Sequence, residues 1–80
     1  MLLPDYLYIQ STGCERFGER LRELRKDRGW RQLDLAEQAG ISENYVSELE
    51  LGQKEVCLRT IGVLSRALGV AIEEIVKDIQ

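Results

Sequence analysis

The chain contains no histidine, a single proline and only two cysteines among its 80 residues. Without histidine, most zinc-site spacings and the commonest catalytic general base are missing. The sequence also has no nucleophile–base spacing and no phosphate-binding loop. We therefore expect neither an enzyme nor a site for a metal, a cofactor or a small-molecule ligand. The two widely separated thiols, Cys14 and Cys57, are typical of reduced cysteines in a cytoplasmic protein.

Long apolar runs are also absent, so no membrane span is expected. The segment MLLPDYLYI at the start is fairly apolar, but no basic residues precede it and Pro4 and Asp5 interrupt it, which argues against a secretion signal. Residues 1–12 are predicted to be an N-terminal arm, either disordered or packed against other apolar surface. Residues 13–80 are predicted to be one folded domain.

An excess of positive charge is missing as well, because 11 Lys and Arg residues stand against 14 Asp and Glu residues. The global field therefore gives no attraction to nucleic acid. The charge is unevenly spread: residues 16–31 carry seven basic and three acidic side chains, whereas residues 34–50 carry five acidic and no basic ones. Any binding to DNA must therefore come from a local patch of basic side chains.

Apolar residues recur at spacings of three and four from Phe17 onward and never alternate for long, which predicts an all-α fold. Thr12 and Glu15 have the spacing of a capping box for the first helix, and Ser42 is the expected N-cap of the third. The five predicted helices cover about residues 13–28, 32–39, 43–50, 58–68 and the end of the chain from 72. Four glycines mark helix ends: Gly29, Gly40, Gly52 and Gly69. The fourth helix should turn Leu58, Ile61, Leu64 and Leu68 inward.

The segment QLDLAEQAGISENYVSELEL, residues 32–51, meets the steric demands of a helix-turn-helix. Ala36 is small where the two helices would cross, and Gly40 lies in the turn. The shared apolar contact would come from Leu35, Ala39, Ile41, Val46 and Leu49.

The longer run FGERLRELRKDRGWRQLDLAEQAGISENYVSELELGQKEVCLRTIGVLSRALGV, residues 17–70, resembles the Cro/C1-type (Xre) DNA-binding domain. It is similar to small phage repressors and to restriction-modification controller proteins. The resemblance implies a five-helix, lambda-repressor-like domain that binds double-stranded DNA as a homodimer, with the third helix in the major groove. The alternative from another class is a protein-interaction helix-turn-helix module of the antitoxin or bridging-factor type.

The resemblance also implies roles for individual residues. Base-reading side chains would be Glu43, Asn44, Ser47 and Glu48. Gln32, Gln53 and Lys54 would contact phosphates, and Tyr45 would lie near the DNA backbone. We add three basic residues to these candidate phosphate contacts: Arg28, Arg31 and Arg59. Arg31 replaces the Ser or Thr that is common before Gln32 and cannot accept a hydrogen bond as an N-cap.

Helical geometry provides an independent test of these roles, since each helical residue turns about 100°. With Val46 and Leu49 inward, Asn44 points most directly outward, flanked by Ser47 and Glu48. Glu50 lies about 70° from the core direction. Arg25 lies on a similar flank of the first helix, and in the family the matching Arg and Glu form a buried ion pair. We therefore predict an Arg25–Glu50 pair.

Dimerisation is assigned to the last helix, whose apolar stripe comprises Ile72, Ile75, Val76 and Ile79. All four could instead close the core, and Ile72 and Val76 are the members more expected there. Leu51 stands at a position that is commonly polar in the family. Leu51 could contact a thymine methyl group or a protein partner, or it could be a singly exposed leucine with no role.

Overall fold

The computed structural model describes residues 11–76, and the side chains from Cys14 onward. Its five helices are α1 (Ser11–Asp27), α2 (Gln32–Ala39), α3 (Glu43–Glu50), α4 (Leu58–Leu68) and α5 (Ile72–Ile75). No strand occurs within these residues, so the predicted all-α, five-helix fold is confirmed. No helix in the described part of the chain is both long and apolar enough to cross a bilayer.

The helix ends follow the glycines. Gly29, Gly40, Gly52 and Gly69 have φ values between 69° and 72°. Glycine adopts this left-handed conformation without the steric cost that a side chain would add. The chain can therefore reverse within a few residues after α1, α2, α3 and α4, which keeps the helices of such a small domain in contact.

The start of α1 differs from the prediction. Thr12 lies inside the helix, so it does not cap it, and the proposed capping box with Glu15 is wrong. The helix already includes Ser11, two residues before the predicted start. Spacing alone does not decide a cap, because Thr12 must also leave the helical conformation to serve as one.

The core combines apolar side chains from all five helices and the loop before α4. Its buried members are Phe17, Leu21, Leu24, Leu35, Ala36, Val46, Leu49, Val56, Ile61, Leu64, Leu68 and Ile75. Ala36 is buried where α2 meets α3, as the helix-turn-helix spacing predicts. Ala39 and Ile41 pack against the core at its edge.

Helices α1 and α3 approach each other at the level of the backbone. A Cβ atom added at Gly18 would lie 2.5 Å from the carbonyl oxygen of Leu49 and would also collide with that of Glu50. A second close approach brings Gly52 next to Glu15, because a Cβ there would lie 3.1 Å from the Cα of Glu15. The end of α3 is thus held tightly against α1.

Leu58 does not face inward as predicted, because its side chain is 51% exposed. The other three members of the predicted stripe, Ile61, Leu64 and Leu68, are buried. Leu58 lies at the edge of their face, about 90° from its centre by helical advance. The spacing of three residues between Leu58 and Ile61 therefore does not by itself predict that Leu58, in the first turn of α4, is buried.

The predicted roles on α5 also need correction. Ile75 is fully buried and Val76 packs at the edge of the core, whereas Ile72 is 45% exposed. Ile75 therefore cannot contact a second protomer in this fold, and Ile72 is not a core residue. Ile79 lies outside the described residues. The reason is tertiary: α5 packs against α1 and α4, so its inward face closes the core. At the same junction, Arg20 on α1 donates hydrogen bonds to the carbonyl and carboxylate oxygens of Glu74 at 2.9 and 2.8 Å.

Candidate nucleic-acid interface

Helix α3 begins at a defined N-cap. The Oγ atom of Ser42 accepts a hydrogen bond from the backbone N–H of Tyr45 at 3.0 Å, and Ser42 has extended backbone angles. This is the arrangement that the sequence predicts. Glu43 follows in the first turn, where its carboxylate complements the free N–H groups and the positive end of the helix dipole.

The faces of α3 agree with the predicted phase. Val46 and Leu49 are buried, and Asn44 is exposed on the opposite side. Ser47 and Glu48 flank Asn44 and are partly buried. The structure therefore presents one outward arc on α3 whose polar members are Asn44, Ser47 and Glu48.

The predicted partnership between Arg25 and Glu50 is present and buried. Nε of Arg25 donates to Oε2 of Glu50 at 2.6 Å, and Nη2 donates to Oε1 at 3.0 Å. Nη1 of Arg25 donates to the carbonyl oxygen of Trp30 at 2.7 Å. This network joins α1, the loop after it and the end of α3. The carboxylate of Glu50 is consequently unavailable to an external partner.

Gln32 extends the same network. Its Nε2 donates to Oε1 of Glu50 at 3.0 Å, which ties the start of α2 to the end of α3. A side-chain amide nitrogen carries two hydrogens, so one N–H of Gln32 remains for another acceptor. The fixed orientation therefore leaves a single donor for the predicted phosphate contact.

Arg31 stands at the N-cap of α2 and is paired with Asp34. Oδ2 of Asp34 accepts a hydrogen bond from the backbone N–H of Arg31 at 2.8 Å, and the guanidinium donates to the same carboxylate at 3.1 and 3.2 Å. The hydrogen bonds from the guanidinium and from the backbone N–H of Arg31 lower the pKa of Asp34. The Asp34 carboxylate raises the pKa of Arg31, and the carboxylates of Glu37 and Glu43 add smaller effects in the same direction. Arg31 is exposed at the start of α2, and its charge is partly balanced by Asp34.

Two predicted phosphate contacts have partners inside the protein. The hydroxyl of Tyr45 lies 3.4 Å from Oγ1 of Thr60, which links α3 to the first turn of α4. Nη1 of Arg28 donates to the carbonyl oxygen of Leu24 at 2.9 Å, near the end of α1. Such a bond satisfies a carbonyl left free at a helix C-terminus. Tyr45 therefore links two helices, whereas Arg28 caps the end of α1.

The remaining basic and amide candidates are exposed. Gln53 and Lys54 lie in the loop after α3, and Arg59 lies in the first turn of α4. The loop leaves α3 through two backbone hydrogen bonds, from Gly52 to Leu49 at 3.2 Å and from Gln53 to Glu48 at 2.9 Å. This defined exit places Gln53 and Lys54 directly beyond the outward arc of α3.

The described residues contain no group of three potential metal ligands from His, Cys, Asp and Glu. The outward donors and acceptors of α3 stand on a rigidly braced helix, which suits noncovalent recognition. The residues that sequence reasoning missed, namely Gly18, Arg20 and Thr60, all act through contacts between segments distant in sequence. Of these three residues, only Gly18 carries a signal in the sequence, because a glycine inside a helix can mark a close approach of another segment.

Comparison with known proteins places this geometry in context. The helix-turn-helix family HTH_3 matches residues 21–75. The HTH-type transcriptional regulator DdrOP3 of Deinococcus deserti is 39% identical over 62 residues, covering 78% of this chain and 48% of that protein. The control protein C.MunI of a Mycoplasma species is 33% identical over 66 residues, covering 81% of this chain and 89% of that protein.

Solved structures of helix-turn-helix proteins are also similar to this chain. The restriction-modification controller protein C.AhdI from Aeromonas hydrophila superposes with a TM-score of 0.76 at 40% sequence identity, covering 78% of this chain and 94% of that one. The present chain spans about half the length of several relatives, including 42% of the immunity repressor protein of Bacillus phage phi105. The similarity is therefore concentrated in the helix-turn-helix region.

Proposed function

The chain belongs to the HTH_3 helix-turn-helix family, and from this premise we propose that it is a sequence-specific DNA-binding regulator of transcription. It acts as a homodimer on a pseudo-palindromic operator, with α3 in the major groove. The observation that carries the proposal is the outward arc of α3, which presents hydrogen-bonding side chains on a helix whose opposite face is buried. A rigid helix with one polar face can present the same atoms to every base pair it tests.

The chemistry of the arc suits base edges. Asn44 can pair through two hydrogen bonds with adenine, and Glu48 can accept from the amino group of cytosine. Ser47 can donate or accept and is therefore permissive. Glu43 stands at the N-terminal end of α3, the end from which helices of this type contact bases. The proposed base-reading residues are these four.

Phosphate contacts are proposed for four exposed residues, Arg31, Gln53, Lys54 and Arg59, and for the partly buried Gln32 through its remaining N–H. Tyr45 is less suited because its hydroxyl already lies next to Oγ1 of Thr60, whereas Arg28 donates one hydrogen bond to Leu24 and keeps its other donors for a phosphate. The net charge of −3 and the acidic side chains on α2 and α3 weaken attraction to phosphates in general. We expect weak nonspecific binding and a shallow salt dependence, because few phosphates are neutralised.

The homodimer is proposed on grounds of symmetry and size. One protomer offers a single α3 and reads half of an operator, whereas two protomers related by a two-fold axis read two inverted half-sites. On α5, Ile72 supplies exposed apolar surface and Val76 lies at the edge of the core. These two residues form the proposed contact within the described residues, and Ile79 stays a prediction.

The test is selection of bound sequences from random DNA by the full chain, beside a selection without protein. The proposal expects enrichment of an inverted repeat whose half-sites are separated by about one helical turn, 10–10.5 base pairs, or a multiple of it. Sedimentation of the chain with the enriched duplex should show two protomers per site. A failure to enrich any sequence would contradict DNA recognition and favour the protein-interaction module.

A further inference from the structure

We infer that Leu51 determines part of the sequence specificity by contacting the C5 methyl group of a thymine. This inference rests on the proposed function and adds an apolar contact to the hydrogen-bonding residues of α3. Leu51 is 61% exposed, the most exposed of the large apolar side chains that the structure describes. A single exposed leucine often has no role, so the inference depends on where this one lies.

Leu51 continues the helical phase of α3. Its backbone N–H donates to the carbonyl oxygen of Ser47 at 3.0 Å, and its φ and ψ angles of −87° and −3° are right-handed. At about 100° per residue, Leu51 lies about 20° from Asn44 around the helix and about 40° from Ser47. Its side chain therefore occupies the centre of the outward arc and is the only apolar one there.

The side chain of Leu51 projects mostly into solvent. It does not pack against the hydrophobic core, and the turn after α3 is closed by backbone hydrogen bonds from Gly52 and Gln53. A turn of this kind often includes an apolar contact from the residue after the glycine, but here that residue is the polar Gln53. The isobutyl group is thus free to contact an external apolar surface.

The major groove offers one apolar group to such a side chain, the thymine methyl. Leu51 is seven residues beyond Asn44, which corresponds to about 10 Å along the helix axis. At about 3.4 Å per base pair, this distance spans about three base pairs when the helix follows the groove. The inference therefore places the thymine about three base pairs from the base that Asn44 reads.

The experiment uses the operator obtained by selection with the full chain. Each thymine is replaced in turn by deoxyuridine, which removes only the C5 methyl group. Dissociation constants are measured for the native chain, for Leu51→Ala and for Leu33→Ala, a matched control whose leucine is 37% exposed but lies on α2. Thermal unfolding monitored by circular dichroism checks that both variants are folded.

At one thymine in each half-site, deoxyuridine should weaken binding by the native chain about fourfold, the value for one buried methyl group. Leu51→Ala should bind the two duplexes equally, and Leu33→Ala should behave as the native chain does. Equal deoxyuridine effects in the native chain and in Leu51→Ala, or an operator without a Leu51-dependent thymine, would overturn the inference while leaving the proposed function intact. A native chain that enriches no site would overturn both.

Discussion

Arg25 and Glu50 form a two-point ion pair inside the protein, with distances of 2.6 Å and 3.0 Å between the guanidinium nitrogens and the carboxylate oxygens. The pair is braced at both ends, because Arg25 also donates to Trp30 and Glu50 also accepts from Gln32. One carboxylate therefore connects α1, the start of α2 and the end of α3. The orientation of the proposed reading helix depends on this connection.

Removing one partner of the pair should be costly. Glu50→Ala leaves the buried Arg25 charge uncompensated, and we expect a loss of about 3–5 kcal/mol in the free energy of unfolding, measured with urea. The control is Glu48→Ala on the same helix, which should change stability by less than about 0.5 kcal/mol. An apolar double variant, Arg25→Met with Glu50→Leu, should recover much of the loss. Unchanged stability of Glu50→Ala would show that the pair is not structural.

The close contact between α1 and α3 predicts opposite effects of the same substitution at two glycines. Gly18→Ala places a methyl group against the carbonyl oxygens of Leu49 and Glu50, so the helices must separate, at a cost of about 1–3 kcal/mol. Gly62→Ala, inside α4, meets open space and should stabilise the protein by about 0.5–1 kcal/mol. Urea unfolding of both variants provides the comparison, and a stabilised Gly18→Ala variant would contradict the described contact.

The two thiols should differ in reactivity. Hydrogen bonds from the side chain and backbone of Thr60 lower the pKa of Cys57 from its usual 9.0, whereas burial raises the pKa of Cys14 above that value. At about pH 8, Cys57 should therefore carry more thiolate than an ordinary cysteine and Cys14 less. Iodoacetamide should alkylate Cys57 first, as followed by peptide mass spectrometry, and Thr60→Ala should slow that reaction. Equal rates in the folded protein would contradict the assignment.

Substitutions at the two described isoleucines of α5 should have different effects, one on stability and the other on dimerisation. Ile75→Ala creates a cavity in the core and should cost about 2–5 kcal/mol of unfolding free energy. Ile72→Ala removes an exposed side chain, so it should leave the stability of the monomer nearly unchanged while raising the dimer dissociation constant measured by sedimentation equilibrium. A dimer unaffected by Ile72→Ala would place the interface elsewhere.

The features predicted correctly from the sequence are those that short segments encode. Ser42 caps α3 because its side chain reaches an amide three residues away. Gly40 and Gly69 end their helices because they adopt left-handed angles locally. The partnership of Arg25 with Glu50 is the exception, because the two residues are 25 positions apart and helical phase predicts their pairing only together with the family resemblance.

The features that were missed depend on how distant segments meet. The hydroxyl of Tyr45 contacts Thr60 rather than solvent because α4 starts beside α3. Ile75 lies in the core because α5 packs against α1 and α4. Neither contact leaves a periodic signal in the sequence, since periodicity reports which residues share a face and not what covers that face.

The most direct test of the account is the base preference of the Asn44→Ala variant. Sequences bound by the native chain, by Asn44→Ala and by Gln38→Ala, an exposed polar control on α2, are selected from the same random DNA pool. Asn44→Ala should lose the preference for one base in each half-site, expected to be adenine, and keep the others, while Gln38→Ala should match the native chain. Identical preferences for Asn44→Ala and the native chain would contradict the claim that the outward face of α3 reads DNA.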